Sequence, residues 1–236
     1  MPKDKEDSSQ QAQLEVDLEA TQRHPTNTSD PKPPYSVFSH REKYIALILV
    51  SSISVWSSTS TPIYYPALQV LEKDFNISEE LVNISVVVYL IAQGISPTLF
   101  SSFADKYGRR PTLLLCLVGF VGSCVGLALA KNYATILVLR VIQSAFISPT
   151  VAISAGSVGD ITERHERGGF VGLLSGLTLF GQGFGSLIGA ALITGWDWRA
   201  IFWFLVIGGG FSFTLNLVML PETSRNVVGN GSIKPR

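Results

Sequence analysis

Six long apolar stretches, separated by short charged connections, organise the sequence after its first forty residues. They lie at roughly 44–66, 81–103, 112–130, 134–158, 170–194 and 200–220. A helix needs about 20 apolar residues to cross the hydrocarbon core of a bilayer, so each stretch predicts one membrane-spanning helix. The pattern as a whole predicts an all-α membrane protein, with a six-helix transmembrane domain at 41–220.

The two ends of the chain have a different composition from this domain. Residues 1–40 are polar and finish in a Pro-rich segment, which is typical of a disordered tail. They lack the charged-then-apolar order of a signal peptide. Residues 221–236 are expected to begin a further loop. Charged residues make up only 15% of the chain, against about 25% in soluble domains, which also favours a membrane protein.

Lysine and arginine are distributed unevenly over the connections, and this distribution predicts the orientation. The chain contains 18 of them. If the N terminus is cytoplasmic, only Lys73, Lys131 and Arg199 fall on the outer side, and Arg140 falls within a span. All the others are then cytoplasmic. Because cytoplasmic loops are enriched in Lys and Arg, both termini are predicted to be cytoplasmic.

Arg140 is the one ionisable residue deep within a predicted span. An arginine at the centre of a membrane helix costs about 2.5–3.5 kcal/mol on insertion scales, so it is expected to face a polar interior and to have a function. The alternative is that its side chain reaches the outer surface. No predicted span contains a buried Asp or Glu, so an acidic proton carrier is missing from these six spans.

Small and polar residues mark the faces where helices are expected to meet. Gly172 and Gly176, followed by Gly181, Gly185 and Gly189, allow close approach of helix backbones. This pattern fits either plain packing or a face that repacks during a conformational cycle. Polar candidates for the interior, which packing could equally explain, are Ser57, Thr59, Tyr64, Gln93, Gln143 and Gln182.

Enzyme classes find no support in the sequence. It has no phosphate-binding glycine-rich loop after a strand, no metal-ligand spacing of His and Cys, and only three scattered histidines. Cys116 and Cys124 would lie about 12 Å apart on one helix, too far for a disulfide. We therefore expect no enzymatic activity, no cofactor, no bound metal and no nucleic-acid partner.

Three motifs resemble those of the major facilitator superfamily. The stretch between spans two and three is similar to its motif A, in Ser101, Ala104, Asp105, Gly108, Arg109 and Arg110. Arg140 with Gln143, in LVLRVIQSA, resembles motif B. GQGFGSLIGA resembles the antiporter motif C in Gly181, Gly185 and Gly189, with Ser186 in place of proline.

Four further stretches narrow the resemblance to the fungal drug:H⁺ antiporter-1 family and its quinidine-resistance-like group. They are PIYYPALQVLEKDFNIS, VGDITERHERG, WDWRAIFWF and LPETSRNVVGNGSIKP. The resemblance implies the N-terminal six-helix half of a transporter, built as two inverted three-helix repeats, in the plasma membrane. It implies a proton gradient as energy source, a drug or weak acid as substrate, and a C-terminal half as possible partner.

The resemblance also implies roles for individual residues. Asp105 would cap a helix of the other half when the cytoplasmic side is closed, and Arg109 and Arg110 would hold its loop. Arg140 would influence proton coupling by acting on an acid of the other half. Two alternatives remain: an inactive membrane half without transport of its own, and an uptake carrier, for sugars or other solutes, of the same fold.

Overall fold

A computed structural model describes residues 40–162 and 165–220, which belong to one compact unit. The tail predicted at 1–40, apart from the backbone of His40, and the loop predicted at 221–236 lie outside the described residues. Within this part of the chain all regular elements are helical. In chain order they are α1 His40–Thr59, a 3₁₀ helix Pro62–Ala67, α2 Leu68–Phe75, α3 Glu79–Tyr107, α4 Arg109–Ala128, α5 Tyr133–Ile147, α6 Pro149–Ile161, α7 Arg167–Gly195 and α8 Arg199–Met219.

These elements form six helices long and apolar enough to cross a membrane, which confirms the predicted number. Span one covers Arg41–Phe75, span two Glu79–Tyr107, span three Arg109–Ala128, span four Tyr133–Ile161, span five Arg167–Gly195 and span six Arg199–Met219. Spans one and four are each interrupted before a proline, Pro62 and Pro149. Because proline lacks a backbone N–H and crowds the preceding turn, it cannot continue regular helical bonding.

Span one runs about nine residues further than the sequence predicted. The charged sequence LEKDF suggests a connection, but it forms α2, whose Leu71 is buried in the core while Lys73 and Asp74 are exposed. The helix ends at Asn76, which adopts the left-handed conformation at φ 51°. Asparagine tolerates this conformation better than most residues, and the chain then turns into span two at Ser78.

Helix pairing follows an internal symmetry. Span one packs on span five, span four packs on span two, and spans three and six pack on each other. If span one is exchanged with span four, span two with span five and span three with span six, the same three pairs are obtained. That exchange is the relation between two inverted three-helix repeats, in agreement with the fold class.

The spans alternate between two ends of the bundle. At one end, which we call the basic end, the starts of spans one, three and five meet the end of span four, through contacts of Lys43, Arg109 and Glu166. At the opposite end Trp198 donates from Nε1 to Asp74 at 2.8 Å, and Tyr133 donates to the carbonyl of Leu81. Each span therefore carries the chain from one end of the bundle to the other.

Spans two and five are much less covered than the others. In the most apolar segment of each, 17% of the residues are buried, against 50% or more in spans one, three and four. These two spans therefore present broad apolar faces, such as those at Ile91, Ile95 and Leu99 on span two and Leu179 and Leu187 on span five.

Candidate functional site

Arg140 lies inside the bundle, on α5 in span four, and only 1% of its surface is exposed. Its guanidinium carbon is 4.0 Å from the centre of the Tyr64 ring and 4.2 Å from the centre of the Tyr89 ring. Both distances are within the range of cation–π attraction. The side chain thus lies between two aromatic rings from spans one and two, and it does not reach the surface.

The hydrogen bonds of this cluster satisfy one edge of the guanidinium. Nη1 of Arg140 donates to Oε1 of Gln143 at 2.7 Å, and Nε2 of Gln143 donates to Sγ of Cys124 at 3.1 Å. The hydroxyl of Tyr64 shares a hydrogen bond of 3.0 Å with Ser85. Nε and Nη2 of Arg140 have no hydrogen-bond partner among the described residues, nor has the Tyr89 hydroxyl. The buried cation is therefore held by rings and an amide.

The sequence predicts that Arg140 and Gln143 belong to one motif but does not identify the two rings. Tyr64 is 76 residues and Tyr89 51 residues away from Arg140 along the chain, so no local spacing connects them. The sequence could have indicated these rings only through a general rule, that a cation buried in a membrane helix needs a partner. In spans with no buried acid, aromatic rings were the remaining candidates.

A cavity of about 620 Å³ opens beside this cluster, between spans one, two, four and five. Its wall contains hydroxyl, amide and apolar side chains but no charged residue; the polar ones include Ser57, Thr61, Tyr65, Gln93, Ser148 and Gln182. Ligand cavities of a few hundred Å³ with few polar groups on an apolar wall bind organic molecules. Of the predicted interior candidates, Ser57, Gln93 and Gln182 line this cavity, whereas Thr59, Tyr64 and Gln143 are buried behind it.

The predicted motif A residues form a connected group at the basic end. Gly108 alone joins spans two and three, with φ 108° and ψ 157°, a conformation that side chains rarely adopt. The next residue, Arg109, contacts Asp105 at 3.2 Å and, on α6, Asp160 at 3.3 Å. Arg110 donates from Nη2 to the carbonyl of Leu217 at 2.8 Å. The two arginines thus connect the turn to spans four and six.

The surroundings of Arg109 fit its guanidinium closely. A Cβ atom at Gly156 would lie 2.5 Å from Nη1 of Arg109, so a glycine is needed there for this packing. Asp105 lies at the rim of the group, with 58% of its side chain exposed. Nearby, Lys43 and Glu166 form an ion pair at 3.0 Å between spans one and five.

The motif C glycines lie against span one. Gly181, Gly185 and Gly189 are buried, and a Cβ atom at Gly189 would overlap the backbone carbonyl of Ile63. Thr59 donates from Oγ1 to the carbonyl of Gly181 at 3.1 Å. Ser186, which stands where the motif has proline, donates to the carbonyl of Pro62 at 3.2 Å. Through these contacts span five packs against the break in span one.

Gly172 and Gly176 do not share this face, which corrects their grouping with the other three. Both are exposed, and a Cβ atom on either would meet nothing within 4 Å. The reason is the spacing: the five-residue step from Gly176 to Gly181 turns the helix by about 140°, whereas a four-residue step turns it by about 40°.

Comparison with known proteins places these features in a family. The sequence profile of the Major Facilitator Superfamily matches residues 46–235. Multidrug transporter AQR1 of Candida glabrata is 55% identical over 203 residues, which are 86% of this chain and 34% of that protein. Quinidine resistance protein 1 of Saccharomyces cerevisiae is 48% identical over 203 residues, 86% of this chain and 36% of that protein. The chain spans about a third of the length of these relatives.

A solved structure shows the same fold. The proton:xylose symporter XylE, bound to 6-bromo-6-deoxy-D-glucose, superposes with a TM-score of 0.73 at 18% identity, over 82% of this chain and 48% of that one. At this identity the likeness concerns the fold alone. Six spans, the pairing of their helices and the family profile lead to one conclusion: the chain is a multi-pass membrane protein of the Major Facilitator Superfamily.

Proposed function

We propose that this chain forms the N-terminal six-helix unit of a proton-coupled exporter of drugs or weak organic acids. The observation that carries the proposal is the uncharged cavity of about 620 Å³ beside the buried Arg140. It occurs in a chain similar to proteins named as multidrug transporters and, at 39% identity over 206 residues, to Citrate exporter 1 of Aspergillus niger. The cavity suits amphiphilic cargo because it combines hydroxyl and amide groups with apolar walls.

In this proposal transport proceeds by alternating access between this unit and a second six-helix unit. The exposed faces of spans two and five contact the second unit on either side of the cavity. The carboxylate of Asp105 lies at the N-terminus of one of its helices when the basic end is closed. A carboxylate at a helix N-terminus stabilises it by about 0.3–2 kcal/mol, which is weak enough to be released in every cycle.

The energy source in this proposal is the proton gradient, without a cofactor. None of the described spans contains a buried Asp or Glu, so the proton carrier belongs to the second unit, and Arg140 lowers the cost of ionising it. The basic end, which carries Lys43, Arg109 and Arg110, faces the cytoplasm because of the enrichment of Lys and Arg in cytoplasmic loops. The membrane is the plasma membrane, and both termini are cytoplasmic.

A chimera tests this proposal directly. Residues 35–236 replace the matched region of Multidrug transporter AQR1 of Candida glabrata, and the chimera is expressed in a yeast strain that lacks its own exporters. We expect drug efflux that stops when a protonophore removes the gradient. If the chimera reaches the plasma membrane in the same amount as the parent but exports nothing, the proposal is wrong.

A second strain, which expresses residues 1–236 alone, tests the need for a second unit. We expect no gain in drug tolerance from the isolated chain, since one face of the cavity is open in the bundle described here. Drug tolerance above the empty-vector control would show that the chain exports drugs without a C-terminal unit. That result would contradict this part of the proposal.

A further inference from the structure

Spans five and six leave a groove between them at the end of the bundle opposite the basic end. Span five packs mainly on span one, and span six packs mainly on span three, so spans five and six touch each other little. The groove has a volume of about 460 Å³. Its wall is the end of span five together with one face of span six, on which the residues are three and four apart: Leu192, Trp196, Ala200, Trp203, Phe204 and Ile207.

This wall is apolar and aromatic, and it faces outward. Trp196 is 72% exposed, Trp203 is 44% exposed and Ile207 is 72% exposed. Trp196 directly follows the last residue of span five, and Trp203 lies in the second turn of span six. Tryptophan is enriched at the level where the apolar core of a bilayer meets the head groups. The groove therefore lies at this level, and a membrane lipid is the molecule that contacts it.

Two charged side chains lie at the end of the groove, in the connection between the spans. They are Asp197 and Arg199, which pair at 2.9 Å and whose side chains are 51% and 39% exposed. Nη2 of Arg199 also donates to the carbonyl of Ala130 at 3.3 Å, and its guanidinium carbon is 4.3 Å from the centre of the Trp198 ring. These contacts hold a negative and a positive group side by side at the level of the lipid head groups.

A zwitterionic head group complements this pair. A guanidinium has five N–H donors, and the bonds of Arg199 to Asp197 and Ala130 use two of them, so further donors remain for a phosphate. The carboxylate of Asp197 attracts an ammonium group, and the exposed indole of Trp196 attracts a quaternary ammonium by cation–π interaction. A sterol carries no charge to match either residue, and a lipid without an ammonium group matches only the arginine.

We infer that the groove between spans five and six binds one phosphatidylcholine molecule from the leaflet opposite the basic end. Its phosphate contacts Arg199, and its quaternary ammonium lies against Asp197 and the indole of Trp196. One acyl chain extends along Phe204 and Ile207. This lipid site does not depend on which cargo the protein carries or on how transport is energised.

Binding is measured on the full chain in detergent with a photoactivatable phosphatidylcholine that carries a diazirine in one acyl chain. Cross-links are located by peptide mass spectrometry, and unlabelled lipids with identical acyl chains compete for the site. We expect cross-links within residues 200–207. Unlabelled phosphatidylcholine should suppress them at a concentration at least about five-fold lower than phosphatidylglycerol, which lacks the ammonium group. Ergosterol should compete no better than phosphatidylglycerol.

Two variants test the head-group contacts. Asp197→Asn and Trp196→Leu should each weaken competition by phosphatidylcholine by about three-fold or more, because each removes one partner of the quaternary ammonium. Competition by phosphatidylglycerol should not weaken. Phe103→Leu is the matched control, since it also removes an exposed ring, but on span two near the basic end; it should behave as the wild type does.

Equal competition by phosphatidylcholine and phosphatidylglycerol overturns the inference, as does stronger competition by ergosterol, which would make the groove a sterol site. Cross-links that avoid residues 200–207 also overturn it. An unchanged preference for phosphatidylcholine in a folded Asp197→Asn variant does the same. If the variants do not fold, the competition between the lipids on the wild-type chain decides.

Discussion

Two arginines of this chain are held in opposite ways. Arg109, at the basic end, lies between the carboxylates of Asp105 and Asp160, at 3.2 and 3.3 Å, and its side chain is 16% exposed. Arg140, in the interior of span four, lies between the rings of Tyr64 and Tyr89 and contacts no carboxylate among the described residues. Both are motif residues, yet only the first is neutralised by the bundle itself.

The bundle holds a cation with ion pairs at its basic end and with aromatic rings in its interior. At the basic end water is close, so carboxylates can be paired in one state and solvated in another at small cost. In the interior, a paired carboxylate would have to be desolvated together with the arginine. Aromatic rings attract the cation without changing their own charge, and they leave one edge of the guanidinium available. Arg109 is therefore paired with carboxylates of the bundle, whereas Nε and Nη2 of Arg140 have no hydrogen-bond partner among the described residues.

Removal of one of the two rings is expected to have the largest effect on stability. Tyr89→Leu takes away one face of the support for Arg140 while the cation stays buried. We expect the free energy of unfolding to fall by about 3 kcal/mol, as when a buried charge loses its partner. Unfolding by titration with sodium dodecyl sulfate, followed by circular dichroism, measures the loss.

Tyr89→Phe is the matched control for this variant, since it keeps the ring and deletes a hydroxyl that has no partner among the described residues. It should leave the free energy of unfolding unchanged or slightly higher. Equal losses in Tyr89→Leu and Tyr89→Phe would mean that the hydroxyl, not the ring, supports Arg140.

The next largest effect concerns the packing of Arg109. Gly156→Ala places a Cβ atom 2.5 Å from its guanidinium, and moving the arginine aside breaks its pair with Asp160. We expect a loss of about 1 kcal/mol in the same unfolding titration, because the flexible arginine side chain can move aside and mainly its ion pair is lost. Gly122→Ala, where a Cβ atom meets nothing within 4 Å, should cause no loss. Similar losses in the free energy of unfolding for Gly156→Ala and Gly122→Ala would show that Gly156 does not pack tightly against Arg109.

Salt dependence sharpens the contrast between exposed and buried cations. Arg109→Gln removes both ion pairs at the basic end, and we expect a loss of about 1 kcal/mol at low ionic strength. The loss should shrink in 1 M salt, where the screening length is about 3 Å. The loss caused by Tyr89→Leu should stay the same, because salt does not enter the interior. A salt-sensitive Tyr89→Leu variant would place Arg140 in contact with solvent.

The smallest effect separates the two tyrosines. Tyr64→Phe deletes the hydrogen bond with Ser85, and such bonds between membrane helices contribute about 0.6 kcal/mol on average. Unfolding titrations of Tyr64→Phe and Tyr89→Phe side by side should differ by about this amount, with Tyr64→Phe the less stable. The reverse order would contradict the assignment of the unsatisfied hydroxyl to Tyr89.

Most of the fold could be predicted from the sequence, because length and hydropathy determine which segments can cross a bilayer. The interior location of Arg140 also followed from the cost of exposing it to lipid. The partners in the cluster could not be predicted, because Tyr64, Tyr89 and Arg140 are far apart along the chain and meet only through helix packing. The same holds for Asp160 as the second carboxylate of Arg109.

Local chemistry explains the other differences. The extension of span one to Phe75 was hidden by its charged residues, which lie on the exposed side of a helix whose buried side is apolar. The grouping of Gly172 and Gly176 with Gly181 was wrong because the spacing changes by one residue. The roles of Asp105, Arg110, Gly185 and Gly189 in gating and repacking stay predictions.

One measurement decides whether Arg140 acts in transport while Arg109 holds the structure together. Proton-driven efflux is compared in the chimera carrying Arg140→Lys and in the chimera carrying Arg109→Lys, at equal surface expression. We expect Arg140→Lys to lower the efflux rate by about 100-fold, equivalent to about 2.7 kcal/mol. Arg109→Lys should lower it by less than about ten-fold, since a lysine still pairs with both carboxylates. Equal losses, or a larger loss in Arg109→Lys, would contradict this expectation.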